Sequence, residues 1–188
     1  MDDLPDTLPE QTIVGSGASP WVEVECEGVI WLVWPEYVPC VGIGEAAEMA
    51  KAEGCELPTP ALVDAIWRKA DLIVTPLPRA HNGTWQQMSA PEVYQDQRHR
   101  LQLQLQATGH IDGYTLIAGQ FKDVVRHNGK LGIYGWHVAS MEKSWKGIPL
   151  HTPETPGLGR VIQPASTIHS PTHGDYSQGY RRCMRKAA

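Results

Sequence analysis

Phenylalanine is almost missing from this chain of 188 residues: one Phe stands against seven Trp and six Tyr. Such a tryptophan bias suits stacking on sugar rings, so a carbohydrate-binding module is one class to weigh. Basic charge is in short supply. Asp, Glu, Lys and Arg make up 20% of the chain, and acids outnumber bases 21 to 16, for a formal net charge of -5. A nucleic-acid binder that relies on phosphate attraction normally shows a net basic face, so no nucleic-acid partner is expected. The one basic cluster, Arg181, Arg182, Arg185 and Lys186, reads as a solvated tail.

The cysteines are few and badly spaced for a metal. Cys26, Cys40, Cys55 and Cys183 form no C-x-x-C pair, which argues against a structural zinc knuckle. They read as mostly reduced thiols of a protein made in a cytoplasm. The acidic start, Met1-Asp2-Asp3-Leu4-Pro5-Asp6, is unlike a secretory leader. No apolar run approaches the roughly 20 residues that span a bilayer, so the protein is expected to be soluble with no membrane span. Gly42-Ile43-Gly44 lacks the Lys and Ser/Thr of a phosphate loop. No internal repeat is present.

What is there is ordinary globular matter, 41% hydrophobic, enough for one compact domain. Residues 1–19, with Gly15-Ser16-Gly17-Ala18-Ser19 before Pro20, read as a flexible N-terminal arm. Residues 20–188 read as a single α+β domain: a hairpin plus helices over 20–110, then a β-rich region over 111–182 that holds the site. The expected architecture has about three helices in the N-terminal and middle part and a small, mostly antiparallel β core in the C-terminal half.

The local signals are specific. Trp21 to Cys26 alternates apolar with acidic residues, and Glu27-Gly28 turns into the apolar run Val29 to Trp34, a hairpin pattern. Glu45 to Glu53 has helical spacing and stops at Gly54. Thr59-Pro60 is a cap and first turn for a helix whose apolar face carries Leu62, Val63, Ile66 and Trp67. Ser89 with Glu92 predicts a capping box for a helix from Ala90 to about Ala107. Ala80 to Ser89 reads as loop. Asn128-Gly129, between Asp123–His127 and Lys130–His137, is a strong hairpin signal because both central residues must take positive φ. Residues 141–159 form a long excursion, Val161 to Pro164 a short strand, and Ser166 to Gly179 an irregular stretch.

Three groups carry candidate chemistry. His137 closes the second hairpin strand after Tyr134-Gly135-Trp136, where an aromatic wall lowers the dielectric around an imidazole. His169-Ser170-Pro171-Thr172-His173-Gly174-Asp175-Tyr176-Ser177 packs two imidazoles, a carboxylate and several hydroxyls into nine residues. Lys122-Asp123 begins the first hairpin strand, with Asp123 roughly opposite Ile133 or Tyr134 and able to fix the tautomer of His137. Two chemistries compete here. In one, His137, His169 and Asp175, or His173 in its place, hold a zinc-like ion with a position open for water. In the other there is no metal: a histidine oriented by Asp175 acts as base, with Tyr176 or Ser177 as donor or nucleophile. The bland alternative is a polar surface loop rich in Asx and Ser turns. Cys40, before a helix, is a weaker nucleophile candidate.

These motifs together resemble an uncharacterised family of tailed-phage and bacterial proteins. The resemblance rests on Gly119-Gln120-Phe121-Lys122-Asp123-Val124-Val125, Ile133-Tyr134-Gly135-Trp136-His137, Ile162-Gln163-Pro164, His169 and Asp175-Tyr176-Ser177-Gln178-Gly179. Upstream, Leu57-Pro58-Thr59 and Val63-Asp64-Ala65-Ile66-Trp67 extend it over roughly residues 30–180. The chain departs from the pattern at Gln178, where the family has histidine, and at Phe121, where it often has lysine. The resemblance implies a phage-like context and a polar site of Lys122, Asp123, His137, His169, Asp175, Tyr176 and Ser177. By analogy with small phage proteins it suggests a peptidoglycan hydrolase, with Lys122 and Tyr176 stabilising developing negative charge. A non-enzymatic phage structural or accessory protein is the alternative, so the expected partner is either a cell-wall polymer or a phage structural protein.

Overall fold

The structure is a computed structural model and describes residues 20–39, 42–79, 84–109, 113–138, 144–145, 148–149 and 160–187. The arm expected over residues 1–19, Cys40 and most of the excursion over 141–159 lie outside the described residues.

Strands β1 (Val22–Cys26) and β2 (Val29–Val33) form the first hairpin, Val22 opposite Val33 and Cys26 opposite Val29. Glu27 and Gly28 take φ of 52° and 77°, the twist a two-residue connection requires. Val24 and Cys26 point inward while Glu23 and Glu25 are exposed, so the alternating sequence pattern is the burial pattern. After β3 (Val38–Pro39), helix α1 (Ile43–Ala52) buries Ile43, Ala46 and Ala50 against Val124, Ile133 and Tyr180. Gly54, at φ 70°, lets the chain turn away at its end.

Helix α2 (Pro60–Lys69) begins as its sequence dictates, with the Thr59 hydroxyl accepting from the Leu62 amide at 3.2 Å. It is apolar on two sides because it lies between two sheets. Leu62 and Ile66 pack with Val24, Trp31 and Val33, while Trp67 lies over His137 on the other side. Then come β4 (Leu72–Ile73), α3 (Trp85–Met88) and α4 (Pro91–Ala107). The Ser89–Glu92 capping box does not form. Ala90 is the N-cap residue with no side-chain bond, and the Ser89 hydroxyl donates instead to the Gln86 carbonyl at 3.2 Å, closing the short α3 turn that sequence reading took for loop. The alternating leucines from Leu101 continue the helix. Leu101 and Leu105 pack with Val74, Leu77, Ile117 and Phe121, while Leu103 is exposed.

Strand β5 (Ile117–Ala118) runs parallel to β4. Strands β6 (Lys122–His127) and β7 (Lys130–Val138) form the second hairpin about Asn128 and Gly129, at φ of 50° and 74°. Strands β8 (Ser144–Trp145) and β9 (Ile148–Pro149) pair with each other, and β10 (Arg160–Ser166), β11 (Gln178–Tyr180) and β12 (Cys183–Arg185) complete the set. The main sheet has five strands in the order β10-β7-β6-β11-β3, antiparallel except where β11 joins β6. The second has three, β1-β2-β12. The fold is α+β.

Two expectations for the C-terminus are corrected. The stretch read as irregular to Gly179 turns into strand at Gln178, inside the main sheet between β6 and β3. The basic tail is no solvated end: Arg181 is fully buried, and β12 pairs with β2. Cys26, Cys55 and Cys183 are free thiols. Among the described residues no helix is long and apolar enough to cross a membrane.

Candidate active site

The hairpin β6–β7 carries Lys122, Asp123 and His137 and sorts them to its two sides. Lys122 and Asp123 are consecutive on a strand, so their side chains leave it in opposite directions. On β7 a kink does the same sorting. Gly135 and Trp136 have φ of 102° and 60°, and the second value is an outlier for a bulky side chain. The two positive-φ residues break the alternation, so Tyr134 and His137, three positions apart, reach the same partner.

That shared partner is Asp64 of α2. Its Oδ1 accepts from the Tyr134 hydroxyl at 2.8 Å and lies 2.9 Å from His137 Nε2. The His137 ring stacks on Trp67, with centroids 4.9 Å apart, and is 2% exposed. Asp123 lies on this side too, opposite Tyr134 in the register. A β-carbon on Gly135 would stand 3.5 Å from Asp123 Oδ2 and 3.6 Å from His137 Cε1. Asp123 therefore neighbours His137, but the group that engages Nε2 is Asp64. Tyr37 donates its hydroxyl to Asp123 Oδ2 at 2.9 Å, and Oδ1 has no partner among the described residues. Burial pushes the Asp123 carboxyl up to about 7, against the pull of the Arg181 guanidinium and the Tyr37 bond, and Asp64 adds to the rise.

On the other side, Lys122 Nζ is 3.3 Å from Asp175 Oδ2 and 5.4 Å from the centre of the Trp136 ring. Trp136 in turn meets Tyr176 edge-on at 6.4 Å. Asp175 is nearly buried. Burial alone would raise its pKa, but the Lys122 charge and the two bonds from Ser177 outweigh it, and the carboxyl sits below its usual range. Those bonds come from the Ser177 amide at 2.7 Å and from its hydroxyl. Ser177 is itself fully buried and spends its hydroxyl on Asp175, so it is a support for the carboxylate and not an exposed nucleophile. The Tyr176 oxygen accepts from the Arg79 amide at 2.7 Å. Its pKa is raised, mainly by burial, so the phenol keeps its proton.

His169 belongs to this second group. Half-buried, it stacks on His173 with centroids 4.2 Å apart and planes at 17°. Its pKa is lowered by burial first, then by His173 and the Lys122 charge, with Asp175 opposing. At neutral pH the ring is a free base.

The structure thus joins Lys122, Trp136, Asp175, Tyr176 and Ser177 by contact, with the stacked His169–His173 pair within reach of the Lys122 and Asp175 charges, and sets Asp123 and His137 on the other side of the hairpin. The donor set expected for zinc, His137 with His169, Asp175 and His173, does not converge: among the described residues no three His, Cys, Asp or Glu side chains form a metal-holding group. His137 is committed to Asp64, and Asp175 to Lys122 and Ser177.

Sequence reasoning passed over several participants. Asp64 and Trp67 belong to the motif Val63-Asp64-Ala65-Ile66-Trp67, whose spacing predicts only a helix. Arg181 was assigned to the solvent. Gln178 and Gln97 are fully buried, with both amide atoms unpartnered among the described residues, and Gln178 stands beside Lys122 in the parallel register of β11 and β6. Buried orphan groups of this kind are where an ordered water or a substrate atom completes the bonding. No protein-family model matches this chain, and no curated protein or solved structure matches it either.

Proposed function

We propose that the protein is a hydrolase that works without a metal, by acid–base chemistry at the Lys122–Asp175–His169 centre, on cell-wall peptidoglycan. The observation that supports the chemistry is the largely buried Lys122–Asp175 ion pair, whose charges act on a half-buried imidazole that burial, His173 and the Lys122 charge hold below its ordinary pKa. His169 takes a proton from the water that attacks the scissile bond and hands it to the leaving group as that bond breaks. Lys122 faces the negative charge that develops, and Tyr176, still protonated, supplies a hydrogen bond or a proton to it. The wall of Trp136 lowers the local dielectric, which strengthens each of these interactions. The choice of peptidoglycan rests on analogy with small phage proteins that carry His/Asp sites.

Release of soluble fragments from purified peptidoglycan tests the reading. His169→Ala is expected to lower the rate by about 100-fold or more, the usual contribution of a positioned base. The rate should fall as pH drops through the His169 pKa, because the protonated ring cannot accept a proton. Lys122→Met removes a cation that lowers that pKa, so the acid limb should move to higher pH along with the His169 ring signals in an NMR titration. Unchanged turnover in His169→Ala would discard the centre. Wall binding without fragment release would select the carbohydrate-binding alternative.

A further inference from the structure

Strand β1 is an edge of the three-stranded sheet, paired on one side with β2 and, among the described residues, with no strand on the other. Helix α2 packs beside it through Ala61 and Ala65. Between strand and helix lies a cleft of about 310 Å³, lined by Val24, Glu25, Ala65, Arg68 and Lys69. Val24 and Glu25 are neighbours in an extended chain and point to opposite faces, so a cleft lined by both runs along the edge of the strand, beside N–H and C=O groups that no strand pairs among the described residues. The cleft is also electrostatically unlike the rest of the chain. Against a net charge of -5 overall, its lining carries two cations and one carboxylate, and both cations are exposed. Arg68 and Lys69 form no ion pair among the described residues, whereas Glu23 of the same strand is paired with Lys186.

An edge strand flanked by a helix, with a groove between them, can take an extended peptide as an added strand. Main-chain pairing supplies affinity, and the groove side chains select the partner. We propose that this cleft binds an extended peptide that adds to β1 as a fourth strand and places a carboxylate against Arg68 and Lys69. A second copy of β1 is a poor occupant. Its Glu23 and Glu25 would face the same residues across the pair, and like charges set opposite one another destabilise a sheet. The small side chain of Ala65 leaves the groove open at its floor. This site is separate from the Lys122–Asp175–His169 centre and stands or falls independently of the hydrolase reading.

The test uses the full chain and fluorescein-labelled short peptides of alternating threonine and valine, ending either in aspartate with a free carboxylate or in an uncharged amide. Fluorescence anisotropy is expected to show saturable binding of the acidic peptide, about tenfold tighter than the amide. The double substitution Arg68→Ala with Lys69→Ala should remove that preference while leaving weak pairing to the strand. Ala65→Trp keeps both cations but fills the groove, and should abolish binding of both peptides; circular dichroism and thermal melting establish that each variant is folded. On binding, amide hydrogen exchange should slow at Val22 to Cys26. Equal affinity for the two peptides, undiminished binding by Ala65→Trp, protection outside β1, or no saturation at millimolar peptide would each overturn the proposal.

Discussion

Asp123 is 1% exposed, and its two carboxylate oxygens fare differently: one is bonded by Tyr37, the other has no partner among the described residues. Desolvation outweighs the nearby Arg181 charge and carries the carboxyl to about 7. In the unfolded chain the same group titrates near 3.9. Between those values the folded state binds more protons than the unfolded state, so the stability this group contributes is whole below about pH 4 and is lost as pH rises through about 7. Melting measured from about pH 5 to pH 8 is expected to show a loss on the order of 2 kcal/mol, or about 6 °C for a chain of this size. Asp123→Asn, which cannot ionise, should flatten that decline, and an equally steep fall in the variant would sink the assignment. This carboxylate was legible in the sequence as a neighbour of His137, but its role was not. Which carboxylate engages the imidazole depends on α2 lying across β7, a contact between residues 73 positions apart that no local pattern encodes.

Elements whose cause is local could be read directly. Asn128-Gly129 must turn because its dihedral demands are met within two residues, and Thr59-Pro60 must start a helix because cap and first turn are adjacent. Elements that neighbours impose were missed. Strands β11 and β12 are three residues each, with neither alternation nor β-branched content; they are extended because β6, β3 and β2 offer them hydrogen bonds. The capping box failed for a related reason, since α3 claimed the Ser89 hydroxyl first. At this scale the β7–β10 pair gives a sharp test. A β-carbon on Gly132 would stand 2.4 Å from the Ser166 carbonyl oxygen and 3.0 Å from the Thr167 methyl. Gly132→Ala therefore forces β10 away from β7 where their register already shifts, between Gln163 and Ser166. A loss of about 1–3 kcal/mol in urea denaturation is expected, as for other overpacked sites. A midpoint equal to that of the parent chain would show that β10 is not held at this position.

Across the whole molecule, the two sheets and the short β4–β5 pair meet at Arg181. The residue sits between β11 of the main sheet and β12 of the smaller one, and its guanidinium donates to the Trp34 carbonyl at 2.9 Å, the Pro35 carbonyl at 2.6 Å and the Ile117 carbonyl. Its Cζ lies 3.9 Å from the centre of the Tyr37 ring, and Tyr37 in turn bonds Asp123, so the same cation that ties the sheets together also steadies the buried carboxylate. A planar fork of donors is what three carbonyls and a ring face require, and a lysine ammonium has neither the fork nor the plane. Arg181→Met is therefore expected to cost about 3–5 kcal/mol, the scale on which a buried network fails when its charged member is removed. Arg181→Lys should recover little of that. Arg185, four positions on, has a side chain 63% exposed and a surface pair with Glu56, so Arg185→Met should change stability by less than about 1 kcal/mol. Equal losses in Arg181→Met and Arg185→Met would mean that the basic terminus is solvated after all, and the joint between the two sheets would have to be sought elsewhere.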